Sequence, residues 1–157
     1  MSDTTSVTSP PDPTTGPATG NAVPIVDYLV LGDTPHLIAH ECTSCAARYF
    51  DHRNACASCF GTDFIDVDVP TTGTLRTFTI VSFAAPGVPV PFVAGVVDCG
   101  GTFVRGNVIN TDPTPENVTL GMPLRLATHV VGVDDNGTEA IGFGFEPTHN
   151  ENTGESV

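Results

Sequence analysis

Apolar and polar positions follow three different regimes along the chain. Residues 1–22 are almost entirely Ser, Thr, Pro, Gly, Asp and Ala. They have little to bury against the entropy of ordering, so a disordered tail is predicted there and again over 148–157. A short apolar run, Ile-Val-Asp-Tyr-Leu-Val-Leu over 25–31, ends at Gly32 and fits either a helical turn or a strand. Residues 36–40 read as a strand leading into a cysteine-rich segment, 42–59.

Beyond that segment the pattern becomes β throughout. Residues 73–84 form a long strand rich in Thr, Phe, Ile and Val, with Leu75, Val81 and Phe83 on one face and Phe78 and Ile80 on the other. Residues 92–99 and 102–109 flank Gly100-Gly101, a hairpin signal. Thr114-Pro115-Glu116 has the residues of a helix start, and one or two turns fit before Gly121. Leu124, Leu126, Thr128 and Val130 then alternate with Arg125, Ala127 and His129. Asp134-Asp135-Asn136-Gly137 marks a tight turn, and Ile141, Phe143 and Phe145 alternate with Ala140, Gly142 and Gly144. Alternate glycines let another backbone or a ligand approach closely.

Five strands with a short helical connection between the third and fourth match the order of an OB-fold barrel. The expected class is mainly β: a zinc ribbon over 23–69, then a five-stranded OB-fold barrel over 70–147 with a core of its own. A different small antiparallel barrel or sandwich is the alternative.

Composition narrows the function. The chain has 157 residues, with 16 Gly and 14 Pro, too many for a helical bundle. Five basic residues face 18 acidic ones, for a net charge of −13. All five are arginines (Arg48, Arg53, Arg76, Arg105, Arg125). Binding to nucleic acid or an anionic membrane needs a basic surface, which this balance does not provide. The first twenty residues lack the basic start and apolar run of a secretion signal, and no stretch has the ~20 apolar residues of a membrane helix. A cytoplasmic location is expected, where paired cysteines point to metal rather than disulfides.

Cys42-Thr43-Ser44-Cys45 and Cys56-Ala57-Ser58-Cys59 are the most specific feature. Each C-x2-C turns two thiolates onto one ion, and two such knuckles complete a tetrahedral S4 shell. Ten intervening residues suffice for a short hairpin, giving a compact rubredoxin-like ribbon. Four sulfurs leave no open position, so one structural zinc per chain is expected; S4 also suits iron. His40 and His52 lie close in sequence, but the shell is already full. Cys99, the fifth cysteine, has Asp98 beside it and reads as a packed thiol rather than a nucleophile. Asp63, Asp66 and Asp68 lack the register of a calcium loop and read as a solvated strand edge.

The double C-x2-C ribbon is followed by Gly73-Thr74-Leu75-Arg76-Thr77-Phe78-Thr79-Ile80-Val81, a Pro-rich loop, and Pro91-Phe92-Val93-Ala94-Gly95-Val96-Val97. A strand containing Gly106, then Leu120-Gly121-Met122, then Gly142-Phe143-Gly144-Phe145-Glu146-Pro147 complete the series. In this order, over residues 27–147, the chain resembles the OB-fold, acyl-CoA-associated family with a rubredoxin-like zinc ribbon. Members of that family accompany thiolase-fold enzymes, including lipid-transfer-protein-like thiolases and the aldolases that shorten steroid side chains. The resemblance implies an accessory, acyl-CoA-binding subunit whose partner carries the catalytic residues. Family members often have a longer helical segment before the ribbon than this chain has.

No nucleophile elbow, H-E-x-x-H motif or phosphate-binding Gly-Lys-Ser/Thr loop is present, so no catalytic residue is assigned. Arg48, Arg53 and Arg76, able to fork onto phosphate, and Val88, Val90 and Phe92, around a loop held extended by three prolines, are the expected contacts to acyl-CoA or partner. The competing readings are a single-stranded nucleic-acid-binding OB module, which the charge disfavours, and a standalone thioesterase or acyltransferase using Cys99.

Overall fold

The structure is a computed structural model and describes residues 21–148. The two predicted tails, residues 21, 22 and 148 apart, lie outside the described residues. Among the described residues ten strands account for the regular structure: β1 Ala22–Pro24, β2 Leu29–Val30, β3 His36–Cys42, β4 Arg48–Tyr49, β5 Phe64–Val69, β6 Thr72–Val81, β7 Phe92–Cys99, β8 Thr102–Val108, β9 Pro123–Val133 and β10 Glu139–Pro147. Among the described residues there is no helix, and so none long and apolar enough to cross a membrane.

Strands β6 to β10 make the barrel. The order β10-β8-β7-β6-β9 is closed by a long antiparallel β9–β10 pairing, while β8 meets β10 in parallel at Val108 and Phe145. This is the five-stranded Greek-key closure of an OB-fold. The β7–β8 hairpin turns on Gly100 and Gly101, both at positive φ, the backbone that a two-residue turn between twisted strands requires. At the β9–β10 turn, Asp134 Oδ1 accepts hydrogen bonds from the amides of Asn136 and Thr138, each 2.8 Å.

Three local expectations need correction. A register shift between Leu75 and Thr77 places a bulge at Arg76 and changes the parity of β6. Leu75, Phe78 and Ile80 therefore oppose Val97, Gly95 and Val93 and share the core face. Phe83 lies past the strand end and is 91 % exposed. The helical connection expected after Thr114 is no helix but a turn: the Thr114 carbonyl accepts from Asn117 and Val118, and a separate turn from Thr119 to Met122 follows. Pro123 already opens β9, so the turn buries Val118 and stops. Finally, the run over 25–31 is neither a helix nor one strand. It bends between β1, paired in parallel with β10, and β2, paired with β3.

The smaller sheet, β2-β3-β4 with β5 on the other edge of β3, is the ribbon. It does not have a separate core. Leu29, Leu37, Ala39 and Val69 belong to the same buried cluster as Leu75, Val93, Val97, Leu124 and Phe145 of the barrel. A row of aromatic rings crosses the junction: Phe50 on Tyr28 at 4.8 Å, Tyr28 on Phe143 at 6.1 Å, and Phe143 edge-on to Phe145 at 6.3 Å.

Candidate metal centre

The two C-x2-C segments fold as near copies of one another. In the first, the Ala46 amide donates to the Cys42 carbonyl at 2.8 Å and the Cys42 amide to the Ala47 carbonyl at 2.9 Å. In the second, Phe60 donates to Cys56 at 2.9 Å and Cys56 to Gly61 at 2.8 Å. The residue after each second cysteine, Ala46 or Phe60, sits at a φ near +60°, a backbone that non-glycine residues rarely adopt. The reversal curls both sulfurs of each pair inward.

The four Sγ atoms of Cys42, Cys45, Cys56 and Cys59 all lie within 4.8 Å of one another. Cys42 to Cys59 is 3.6 Å and Cys45 to Cys56 is 3.5 Å. These separations are far too long for disulfides, whose S–S bond is ~2.05 Å. They are close to the edge of about 3.8 Å in a tetrahedron with ~2.3 Å metal–sulfur bonds. The donor set thus fits one tetrahedral thiolate-bound ion with no open position.

The surroundings favour thiolate at Cys56 and Cys42. The Tyr49 hydroxyl, 3.3 Å from Cys56 Sγ, and backbone amides, including that of Ser58 at 3.4 Å, bring the Cys56 thiol down to about 6. The Ser44 amide leads in lowering Cys42. At Cys59 the Gly61 amide also pulls down, but thiols shared with Cys45 and Cys42 outweigh it and push that group up to about 12. A metal ion bound here would resolve this competition by taking all four sulfurs as anions.

The histidines stand apart from the sulfurs. His40 and His52 stack at 4.2 Å, and His40 Nδ1 lies 2.7 Å from Asp66 Oδ1. Together with Asp27, Tyr28 and Ile38 they line a small cavity of about 180 Å³. His36 Nε2 lies 3.5 Å from Asp68. Two of the three aspartates expected at a solvated edge thus pair with histidines.

Four of the arginines are engaged. Arg48 bonds Glu41 at 2.7 Å and, across to the barrel, Thr102 Oγ1 at 2.9 Å. Arg53 lies over the Tyr49 ring at 4.4 Å. Arg76 holds Asp98 Oδ2 through Nε and Nη2, and Arg125 holds Glu146. Val88 and Val90 are 47 % and 42 % exposed on the loop between β6 and β7, and Phe92 is half-buried at the start of β7. Phe83, expected on a strand face with Leu75 and Val81, is on the same loop, past the end of β6. Cys99 is buried, and burial together with Asp98 raises its thiol to about 11.

A four-sulfur ribbon continuous with a five-stranded Greek-key barrel defines a zinc-ribbon OB-fold protein. The family model of the ChsH2 rubredoxin-like zinc ribbon domain matches residues 31–64, and that of the ChsH2 C-terminal OB-fold domain matches residues 66–136. The chain belongs to this ChsH2 family. Among solved structures it is similar to a chain of the "Ltp2-ChsH2(DUF35) aldolase", with a TM-score of 0.57 and 21 % identity over 71 % of this chain and 84 % of that one. No curated protein sequence matches it.

Proposed function

We propose that this protein is an accessory subunit that docks on a lipid-transfer-protein-like, thiolase-fold enzyme and that the pair acts on an acyl-CoA thioester. The observation that carries the reading is the ribbon and barrel in one order, in a chain that belongs to the ChsH2 family and shares its fold with a chain of an aldolase complex. The candidate metal centre supports a structural role: a closed S4 shell gives no position for a substrate. Zinc is the ion assigned to Cys42, Cys45, Cys56 and Cys59, where it would hold the two knuckles together. The Cys99 thiol, raised by burial and by the neighbouring Asp98 charge, disfavours the standalone thioesterase reading.

For contacts to partner or acyl-CoA we assign Arg53, the loop residues Val88 and Val90, and Phe92 at its end. Arg76, 59 % exposed beyond its pair with Asp98, is also reachable. Arg48 is used inside the molecule, and in this reading it sets the ribbon's position while its outer edge meets the partner. Co-expression with lipid-transfer-protein-like thiolases, followed by gel filtration and an acyl-CoA cleavage assay, tests the proposal. A stable complex with activity greater than either chain alone is expected. A chain that stays monomeric with every such enzyme overturns it.

A further inference from the structure

The outer face of β6, β7 and β8 carries an open trough of about 490 Å³, lined by Thr77, Thr79, Ala94, Val96, Arg105 and Asn107 over a backbone floor at Phe78, Gly95 and Gly106. Register explains its shape. Ala94 on the central strand lies between Thr79 and Asn107, and Val96 lies between Thr77 and Arg105. Short apolar side chains down the middle, flanked by hydroxyls on one side and longer polar groups on the other, leave a channel within the size range of small-molecule sites. In OB-folds the face of the second and third strands, here β7 and β8, is a common ligand surface.

Charge singles out Arg105. The chain has 18 acidic residues against five arginines. Arg48, Arg76 and Arg125 are held by carboxylates and Arg53 by an aromatic ring. Among the described residues Arg105 alone of the five has no such partner, and it stands exposed at the trough wall. A guanidinium without such a partner is free to take an anion from outside, and its planar fork suits a phosphate. Asn107 and the two threonines add neutral hydrogen-bonding groups, and Ala94 and Val96 add an apolar strip. One free cation is too few to release the counterions of a nucleic-acid strand.

We infer that the trough over β6, β7 and β8 binds the phosphorylated nucleotide end of coenzyme A, with Arg105 on a phosphate and the ligand lying along Ala94 and Val96. The inference rests on the acyl-CoA reading above and deepens it. It assigns the holding of the carrier to this chain and leaves the reacting thioester to the partner.

Titration of the full chain with coenzyme A, followed by amide NMR and calorimetry, tests it. Shifts clustered at Thr77, Thr79, Gly95, Gly106 and Asn107 are expected. Arg105→Gln should weaken binding at least tenfold, with partial recovery in Arg105→Lys. Ala94→Leu, which fills the channel and leaves the charge unchanged, should also weaken it. Dephospho-CoA should bind several-fold less tightly than coenzyme A, and S-acetylpantetheine should be insensitive to Arg105→Gln. Unchanged amide dispersion and melting temperature establish that the variants fold. The inference is overturned if coenzyme A shifts none of these amides, or if Arg105→Gln and Ala94→Leu bind it like the parent. Tighter binding of a single-stranded oligonucleotide to the same amides also overturns it. Gel filtration with the partner is read separately. A complex that forms while the trough ignores coenzyme A leaves the subunit reading intact, and a chain that binds coenzyme A but no partner removes only that reading.

Discussion

The hydroxyl of Tyr49 lies 3.3 Å from the sulfur of Cys56, joining the short β4 strand between the knuckles to the more buried cysteine of the second one. Tyr49 also carries Arg53 over its ring and meets Phe64 edge-on at 6.2 Å. With a metal bound it would orient a ligand without being one, and groups of that kind typically contribute 10–100-fold to metal affinity.

Protein purified without chelator should contain one zinc per chain by elemental analysis. Tyr49→Phe should keep the metal but release it to a competing chelator at about tenfold lower concentration. Cys45→Ser should lose stoichiometric zinc and cost more than about 4 kcal/mol of stability in urea unfolding. Metal-free wild-type protein would contradict the assignment.

Cys99 should behave differently from the other four cysteines. Burial, with Asp98 adding to it, raises its thiol to about 11, which leaves almost no thiolate at neutral pH. After chelation a thiol reagent should label four cysteines, and the fifth only on denaturation. Cys99→Ala should leave acyl-CoA cleavage by the complex unchanged; its loss would favour the nucleophile reading.

His129 predicts an acid-sensitive stability. Its Nδ1 is buried with no hydrogen-bond partner, and burial holds its folded pKa below the ordinary value. As pH falls below about 6.5, the unfolded chain takes up this proton before the folded one does, so stability is lost with falling pH. The loss levels off below the depressed folded value, where both states are protonated. Urea midpoints at pH 7.5 and 5.5 should differ less in His129→Gln than in the wild type. An equal difference in both would exclude His129 as the source.

Two glycines make a matched pair of substitutions. A Cβ at Gly73 would meet the Asp98 carbonyl oxygen at 2.6 Å and Val97 at 2.7 Å, whereas at Gly32 it meets nothing within 4 Å. Gly73→Ala should cost about 1–3 kcal/mol, and Gly32→Ala should change the urea midpoint little.

The loop between β6 and β7 gives the partner test. Val88→Asp combined with Val90→Asp should abolish co-elution with the thiolase-like enzyme and leave the melting temperature unchanged, since both side chains are largely exposed. Undiminished co-elution would exclude the loop from the interface.

Features fixed by local chemistry were legible in the sequence. The cysteine spacing announced the knuckles, Gly100-Gly101 the hairpin, and the alternation of Leu124, Leu126 and Thr128 the face that meets Phe145 and Phe143. Features depending on distant pairing were not. The bulge at Arg76 reverses the parity of every later position in β6, and no residue there signals it. The helix-start residues at Thr114 met a chain that had only one turn to spend before β9. Arg105 looked like its four counterparts until the structure showed what held each of the others.

The chain passes between barrel and ribbon twice, from β1 to β2 and again through Pro70 and Thr71, and the aromatic row and the Arg48–Thr102 bond tie the same joint. Such a joint, with a shared core, resists a swivel. The two parts act as one rigid jig, so whatever grips the knuckles also sets the bearing of the Arg105 trough. Alignment between partner and carrier would then be built in before they meet, and because the two parts share one core, an inserted residue at 70–71 would disturb the packing of both.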